Sequence, residues 1–178
     1  MPERASHGAW GLDLADRDHL TGLWNRRRFE QELDRSRQKG ERLALLSIDV
    51  DAYNDVIDRH GASAAEGLIQ SISHVLAKRL QPNQTLAHMG GDEFAAVLRG
   101  ATPQHVQCLA DELCTAVREQ SHTVGSSHVH ATISIGGAFL DAGTQTHHEA
   151  LLAADTALYE AKVAGGDRAI LREPSPGA

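Results

Sequence analysis

The sequence predicts an α/β (α+β) domain in which helices pack on a mostly antiparallel sheet. Residues 43–50, Leu-Ala-Leu-Leu-Ser-Ile-Asp-Val, form a nearly continuous apolar run, the pattern of a strand buried on both faces. Residues 86–98 place β-forming residues on both sides of Gly90-Gly91, which reads as a tight β-hairpin. Around these lie stretches of helical apolar spacing, in the order helix, strand, two helices, hairpin, helix, strand, helix.

At 178 residues the chain fits one domain with a proper core. Its formal charge of −7 is spread over mixed acidic and basic residues. That excludes a nucleic-acid groove, which needs a basic stripe, but not a nucleotide, which needs only a few local cations and a metal. No run of 18 apolar residues and no signal peptide is visible, so a soluble cytoplasmic domain without membrane contact is expected. Cys108 and Cys114 fall in a helical pattern and are expected as reduced, partly buried thiols. His128 and His130 share a strand face, and His147-His148 lie far away in sequence. Without Cys or carboxylates at ligand spacing, no zinc site is expected.

Taken in order, residues 10–20 suit a short helix or an arm packed on something else. Asn25 caps a helix running to about Lys39, with Phe29 and Leu33 on one face and Gly40 as its stop. The buried strand follows. Residues 53–60 read as a short helix closed by Gly61. Residues 63–80 form a longer amphipathic helix, with Leu68, Ile72, Val75 and Leu76 inward and Pro82 beyond its end. The hairpin strands fall near 85–89 and 94–99, and a helix spans 104–120. Residues 128–136 alternate as one strand. A second long helix covers about 146–164, Gly165-Gly166 closes it, and 169–171 suits a last edge strand.

The buried strand ends in Asp49-Val50-Asp51, and a carboxylate there needs a partner or a metal. A helix cap is a competing role for Asp51. Asp92 and Glu93 follow the hairpin glycines, and as consecutive strand residues they point to opposite faces. A purely structural hairpin tip also favours Gly and Asp.

The string Gly90-Gly91-Asp92-Glu93-Phe94 resembles the signature of the GGDEF family, whose members condense two GTP into cyclic di-GMP. Similar family strings are Leu20-Thr21-Gly22-Leu23-Trp24-Asn25-Arg26-Arg27 upstream, Asp49-Val50-Asp51, Thr132-Ile133-Ser134-Ile135-Gly136, and the run from Ala154 to Lys162. The resemblance covers roughly residues 18–171 and implies a polymerase-palm arrangement. Residues 1–17 would be an N-terminal arm or linker, 18–172 the domain and 173–178 a disordered tail. It also implies a site for Mg²⁺ (or Mn²⁺) formed by Asp49, Asp92 and the carbonyl of Val50, with Glu93 assisting the attacking 3′-hydroxyl. Backbone amides of Asp51, Ala52 and Tyr53 would hold the β- and γ-phosphates, with Lys162 nearby as a point charge. Such chemistry is mostly positioning plus metal charge on phosphoryl oxygens. A homodimer would be needed for turnover, and an upstream sensor is usual in the family. Too few residues precede Asp18 to hold one, which suits either a stand-alone protein or a fragment.

Several positions depart from the family pattern. Its guanine-reading Asn falls on Ile57, its second guanine contact, an Asp, on Glu66, and its phosphate-side Lys on Asn54. A phosphate-contacting Arg falls on Gly166, with Arg168 two residues on as a candidate substitute. The Arg-x-x-Asp of the family's product-inhibition site falls on Gln81-Pro82-Asn83-Gln84, so feedback there is not expected. The Arg common two residues before the glycines is His88. Two functions follow: a nucleotidyl cyclase for GTP or another purine triphosphate such as ATP, or an impaired domain that binds a nucleotide or a protein as a regulatory module.

Overall fold

A computed structural model of the chain describes residues 14–141 and 146–173. The start of the expected N-terminal arm and the expected tail at 174–178 lie outside the described residues. At the centre runs β1 (Leu43–Val50), buried along its length except for half-buried Asp49. Burial on both faces explains why it carries no polar alternation. On one side β1 pairs antiparallel with β3 (Glu93–Arg99), the second arm of the hairpin begun by β2 (Thr85–Gly90). On the other it pairs antiparallel with β6 (Ile133–Leu140). β7 (Ala169–Arg172) adds in parallel to β6, giving the order β2-β3-β1-β6-β7. This is the expected mostly antiparallel sheet with flanking helices.

Side chains alternate across β1 and split the core into two layers. Leu46, Ile48 and Val50 face α3 (Ala62–Ala77) and α4 (Pro103–Glu119), meeting Leu68, Ile72, Ala110 and Leu113. The short α2 (Tyr53–His60) lies at the edge of that layer, with Tyr53 and Val56 packed on it. Leu43 and Leu45 face the other way, onto Phe29 and Leu33 of α1 (Arg26–Gln38) and Ala150 of α5 (His147–Val163). Asn25 caps α1 as expected, its side chain accepting from the Arg28 amide. Thr146 and Glu149 close a capping box at the start of α5.

The buried stripe of α5 is Ala150, Ala154, Ala157 and Ala161. These small residues let the helix backbone approach β6, and the approach is closest at Gly136. A Cβ there would lie 2.1 Å from the Leu158 amide nitrogen and 2.2 Å from the Ala154 carbonyl oxygen. Only glycine fits, which gives a packing reason for the last residue of the Thr-x-Ser-Ile-Gly string.

The alternating stretch 128–136 is not one strand. β5 (Ser127–His130) pairs with β4 (Ser121–Val124) in a separate two-stranded ribbon, and β6 begins at Ile133. A period-two pattern persists through a change of partner, so alternation could not show the break. β4 went unpredicted because Ser121-His122-Thr123-Val124 holds a single apolar residue, which leaves no apolar alternation to read. Cys114 is buried as expected, but Cys108 is exposed.

The segment before α1 ties itself to the hairpin. Asp18 Oδ2 accepts from the Thr21 amide at 2.9 Å and the Thr21 hydroxyl at 2.7 Å, closing a turn that Gly22 completes at φ +73°. The following Trp24 carbonyl accepts from the His88 amide of β2 at 2.9 Å.

Candidate active site

Asp49 stands directly opposite Glu93 on β3 and Ser134 on β6. Residues directly opposed in a ladder share a face, and α5 covers this one. Ser47, two residues back on the same face, donates to Asp155 of α5 at 2.8 Å. About two turns further along α5, Lys162 forms an ion pair with Asp49 Oδ2. The alanine stripe and Gly136 therefore fix the height at which the ammonium meets the strand end.

Burial pushes the Asp49 carboxyl up to about 6; Lys162 pulls it down, while the charges of Asp92 and Glu93 add to the rise. For Lys162 burial works against the charge, but Asp49, Asp92 and Asp51 outweigh it and hold the ammonium above its usual range. The second oxygen of Asp49, Oδ1, is buried and has no hydrogen-bond partner among the described residues. A buried, unpartnered carboxylate oxygen costs free energy unless a cation or donor meets it. The hairpin turn is fastened alongside, since the Val50 amide donates to the Asp92 carbonyl at 3.1 Å. Two carboxylates and a main-chain carbonyl are hard oxygen donors of the kind Mg²⁺ prefers, so the residues present fit such an ion.

Asp51 does something else. Thr132 Oγ1 and Ser134 Oγ each donate to its carboxylate at 2.7 Å, and the Asp167 amide donates at 2.9 Å. Its own amide donates to the Thr132 carbonyl at 2.9 Å. Asp51 is thus neither the cap of α2, whose N-cap is Ala52 with no side-chain bond, nor a free phosphate-binding amide. It is a staple joining β1, β6 and the turn after α5. The hydroxyls that hold it sit two apart in Thr132-Ile133-Ser134, a spacing visible in the sequence, but their acceptor lies 81 residues away. Gly166 belongs to the same staple: a Cβ there would come within 3.0 Å of the Asp51 carboxyl. Arg168 folds back, its Nε donating to the Gly166 carbonyl at 3.0 Å.

A cavity of about 370 Å³ opens on the α5 side, lined by Asp49, Glu93 and Lys162 with Phe29, Met89 and Leu158. Ile57 and Glu66 do not line it. They belong to α2 and α3, on the other side of the hairpin from α5. There burial, then the charges of Glu66 and Asp92, push the Tyr53 phenol above its usual range.

The sequence matches the family described as diguanylate cyclase, GGDEF domain, over residues 15–168. The chain belongs to the GGDEF family. DgcC of Escherichia coli K12, named a probable diguanylate cyclase, is 33% identical over 165 residues, 87% of this chain and 43% of that protein. MucR of Pseudomonas aeruginosa, named a bifunctional diguanylate cyclase/cyclic di-GMP phosphodiesterase, is 30% identical over 86% of this chain and 23% of its own length. The chain thus spans less than half the length of these relatives. Among solved structures, the coiled coil and GGDEF domain of DgcB from Caulobacter crescentus in complex with c-di-GMP superposes with a TM-score of 0.86 at 26% identity, covering 93% of this chain and 90% of that one. The FimX GGDEF domain from Pseudomonas aeruginosa gives 0.83 at 26% identity, covering 88% and 99%.

Within this GGDEF domain the two acidic hairpin residues differ in reach. Both charges act on Asp49; Glu93 also lines the cavity beside it, and the charge of Asp92 extends to Lys162 and Tyr53. Ala52, in the left-handed region at φ +54°, turns the chain out of β1 and into α2. Past that turn the first amides of α2, those of Tyr53 and Asn54, have no intrahelical acceptor. No described helix is long and apolar enough to cross a membrane.

Proposed function

We propose that this GGDEF domain is a nucleotidyl cyclase that condenses two purine nucleoside triphosphates into a cyclic dinucleotide, GTP to cyclic di-GMP being the family default. The observation that carries this is Asp49, with a buried unpartnered oxygen, set opposite Glu93 and beside Asp92 at the end of a central strand. Asp49, Asp92 and the Val50 carbonyl would hold Mg²⁺ or Mn²⁺. Such an ion, when bound, supplies positive charge to the phosphoryl oxygens. The Glu93 carboxylate takes the proton of a 3′-hydroxyl as its oxygen bonds to an α-phosphorus and the bond to pyrophosphate breaks. A second such step closes the ring and releases a second pyrophosphate. The amides of Ala52, Tyr53 and Asn54 receive the β- and γ-phosphates, and Lys162 balances their charge from the opposite side. Each domain presents one triphosphate, so turnover requires a two-fold homodimer with facing hairpins.

Base recognition is the altered part. Ile57 offers no hydrogen bond to a base edge, and Glu66 keeps the family's charge on a longer arm. Each missing polar contact weakens binding by roughly 1–3 kcal/mol, so selection of GTP over ATP is relaxed. Feedback through the family's inhibition site is not expected, because Gln81 and Gln84 replace its Arg and Asp. A second function is favoured by Asn54, Ile57 and Gly166 together: a domain that holds nucleotide or a protein partner without useful turnover.

A product assay separates the two. Concentrated protein with Mg²⁺ or Mn²⁺ is incubated with GTP and ATP, singly and together, and products are read by mass spectrometry. A cyclic dinucleotide that disappears in Glu93→Ala is the expected result, and its bases report the selectivity. Absence of product under every condition would replace the cyclase by the binding module.

A further inference from the structure

His88 on β2 is 5% exposed, and its ring lies between two groups that can only accept protons. Nε2 is 2.9 Å from the carbonyl oxygen of Gly91 in the hairpin turn. Nδ1 is 3.0 Å from Asp18 Oδ2, off the line of a full hydrogen bond. A neutral imidazole has one N–H and one lone pair. In this setting it would aim that lone pair at either a carbonyl or a carboxylate. The doubly protonated ring donates towards both.

We propose that His88 is a positioning residue whose doubly protonated form clamps the Gly-Gly turn to Asp18, so that the placement of Asp92 depends on pH. The clamp is a property of the fold; its consequence for nucleotide chemistry rests on the function proposed above.

Charged groups approach the ring from several elements. Asp18 faces it from the turn before α1. Burial works against the Asp18 carboxylate, but its bonds to Thr21 and the His88 charge hold its titration below the usual range. Its contribution is therefore present above that range and is lost only in acid. From β3 the Phe94 ring packs 5.1 Å away and brings no charge. Asp92 and Glu93 follow Gly91 in the hairpin, and the charge of Asp92, with that of Glu66 on α3, also reaches Tyr53 on α2. From α1, Arg26 reaches the carbonyl of Met89, the residue after His88, at 3.4 Å. With Asp18 ionised, the group in the Asp18–His88–Gly91 contact whose charge can change is the ring. The clamp is complete while the ring carries both protons and opens when it loses one. Arginine at this position would be charged throughout.

Long-range ¹H–¹⁵N NMR of the full chain, from about pH 5 to 8, reads the His88 ring directly. Two protonated nitrogens in acid, giving way to one as pH rises, is the expected result; a ring neutral across the whole range overturns the proposal. Mn²⁺ affinity, measured by calorimetry in wild type and His88→Arg over the same range, reads the effect on Asp92. Asp49 titrates in both proteins, so the ratio of the two affinities isolates His88. The wild-type affinity is expected to fall about tenfold relative to His88→Arg as pH rises, the size of one charge-assisted contact. A ratio constant with pH overturns the clamp. Should neither protein bind Mn²⁺, the proposed function fails by itself, and melting temperatures decide the clamp. The gap between the variants then widens with pH if His88 is the clamp and stays constant if it is not.

Discussion

The end of β1 and the α2–α3 edge meet at the same hairpin, yet they are built in opposite ways. At the strand end the packing leaves little freedom. Asp51 is held by three donors, Gly136 sits under the backbone of α5, and the helix so placed delivers Lys162 to Asp49. On the other side α2 buries none of its residues, has no side-chain cap, and exposes Asn54. Glu66 on α3 is exposed as well. The residues that match the GGDEF pattern are concentrated where the fold depends on them. Three departures from it, at Asn54, Ile57 and Glu66, fall at this looser edge, while two others, Gly166 and His88, sit at packed positions. The proposed base pocket, mounted on exposed and half-buried helix positions, can be rewritten without disturbing the carboxylates at the strand end.

That contrast can be broken at its rigid end first. Gly136→Ala drives a Cβ into backbone atoms of Leu158 and Ala154, which no rotamer change relieves. Urea unfolding should show a loss of about 3 kcal/mol or more; wild-type stability would mean that α5 stands further from the sheet. Asp51→Ala removes one acceptor from three donors, and a loss of roughly 2–3 kcal/mol is expected in the same assay. A loss no larger than that of an exposed substitution would mean that the staple carries no stability.

Asp49→Asn should go the other way. The carboxyl rises from 3.8 to about 6 on folding, so the folded state favours the protonated form. The penalty is absent below the unfolded value, grows as pH rises, and is complete above about 6. Asparagine removes it. In chelator the variant should be more stable than wild type by roughly 1–3 kcal/mol at about pH 8, while binding no Mg²⁺. Equal pH–stability curves for the two proteins would show that Lys162 fully compensates the buried charge.

The smallest effect on stability belongs to the exposed edge. Ile57→Asn with Glu66→Asp should change stability by no more than about 0.5 kcal/mol and raise the preference for GTP over ATP. No gain would place the defect on the phosphate side, at Asn54 or Gly166.

The sequence by itself determined the elements whose signal is local. The buried strand, the Gly-Gly hairpin, the Asn25 cap and the Gly61 stop each depend on residues within a turn or two of one another. Through the strings shared with the family it also singled out Asp49, Asp92, Glu93 and Lys162, and in the fold Lys162 pairs with Asp49, Glu93 stands opposite it and the charge of Asp92 acts on it. What it misjudged depends on partners distant in the chain. Asp51 looked like a cap because a carboxylate before a helix usually is one; its donors come from β6 and the turn beyond α5. Residues 128–136 looked like one strand because alternation records which face is buried and not which strand lies alongside. The same limit applies to His88, which along the chain is one more histidine. Only the tertiary structure sets it between Asp18 and Gly91, because the direction of a hydrogen bond is decided by the atoms that packing brings to each end of it.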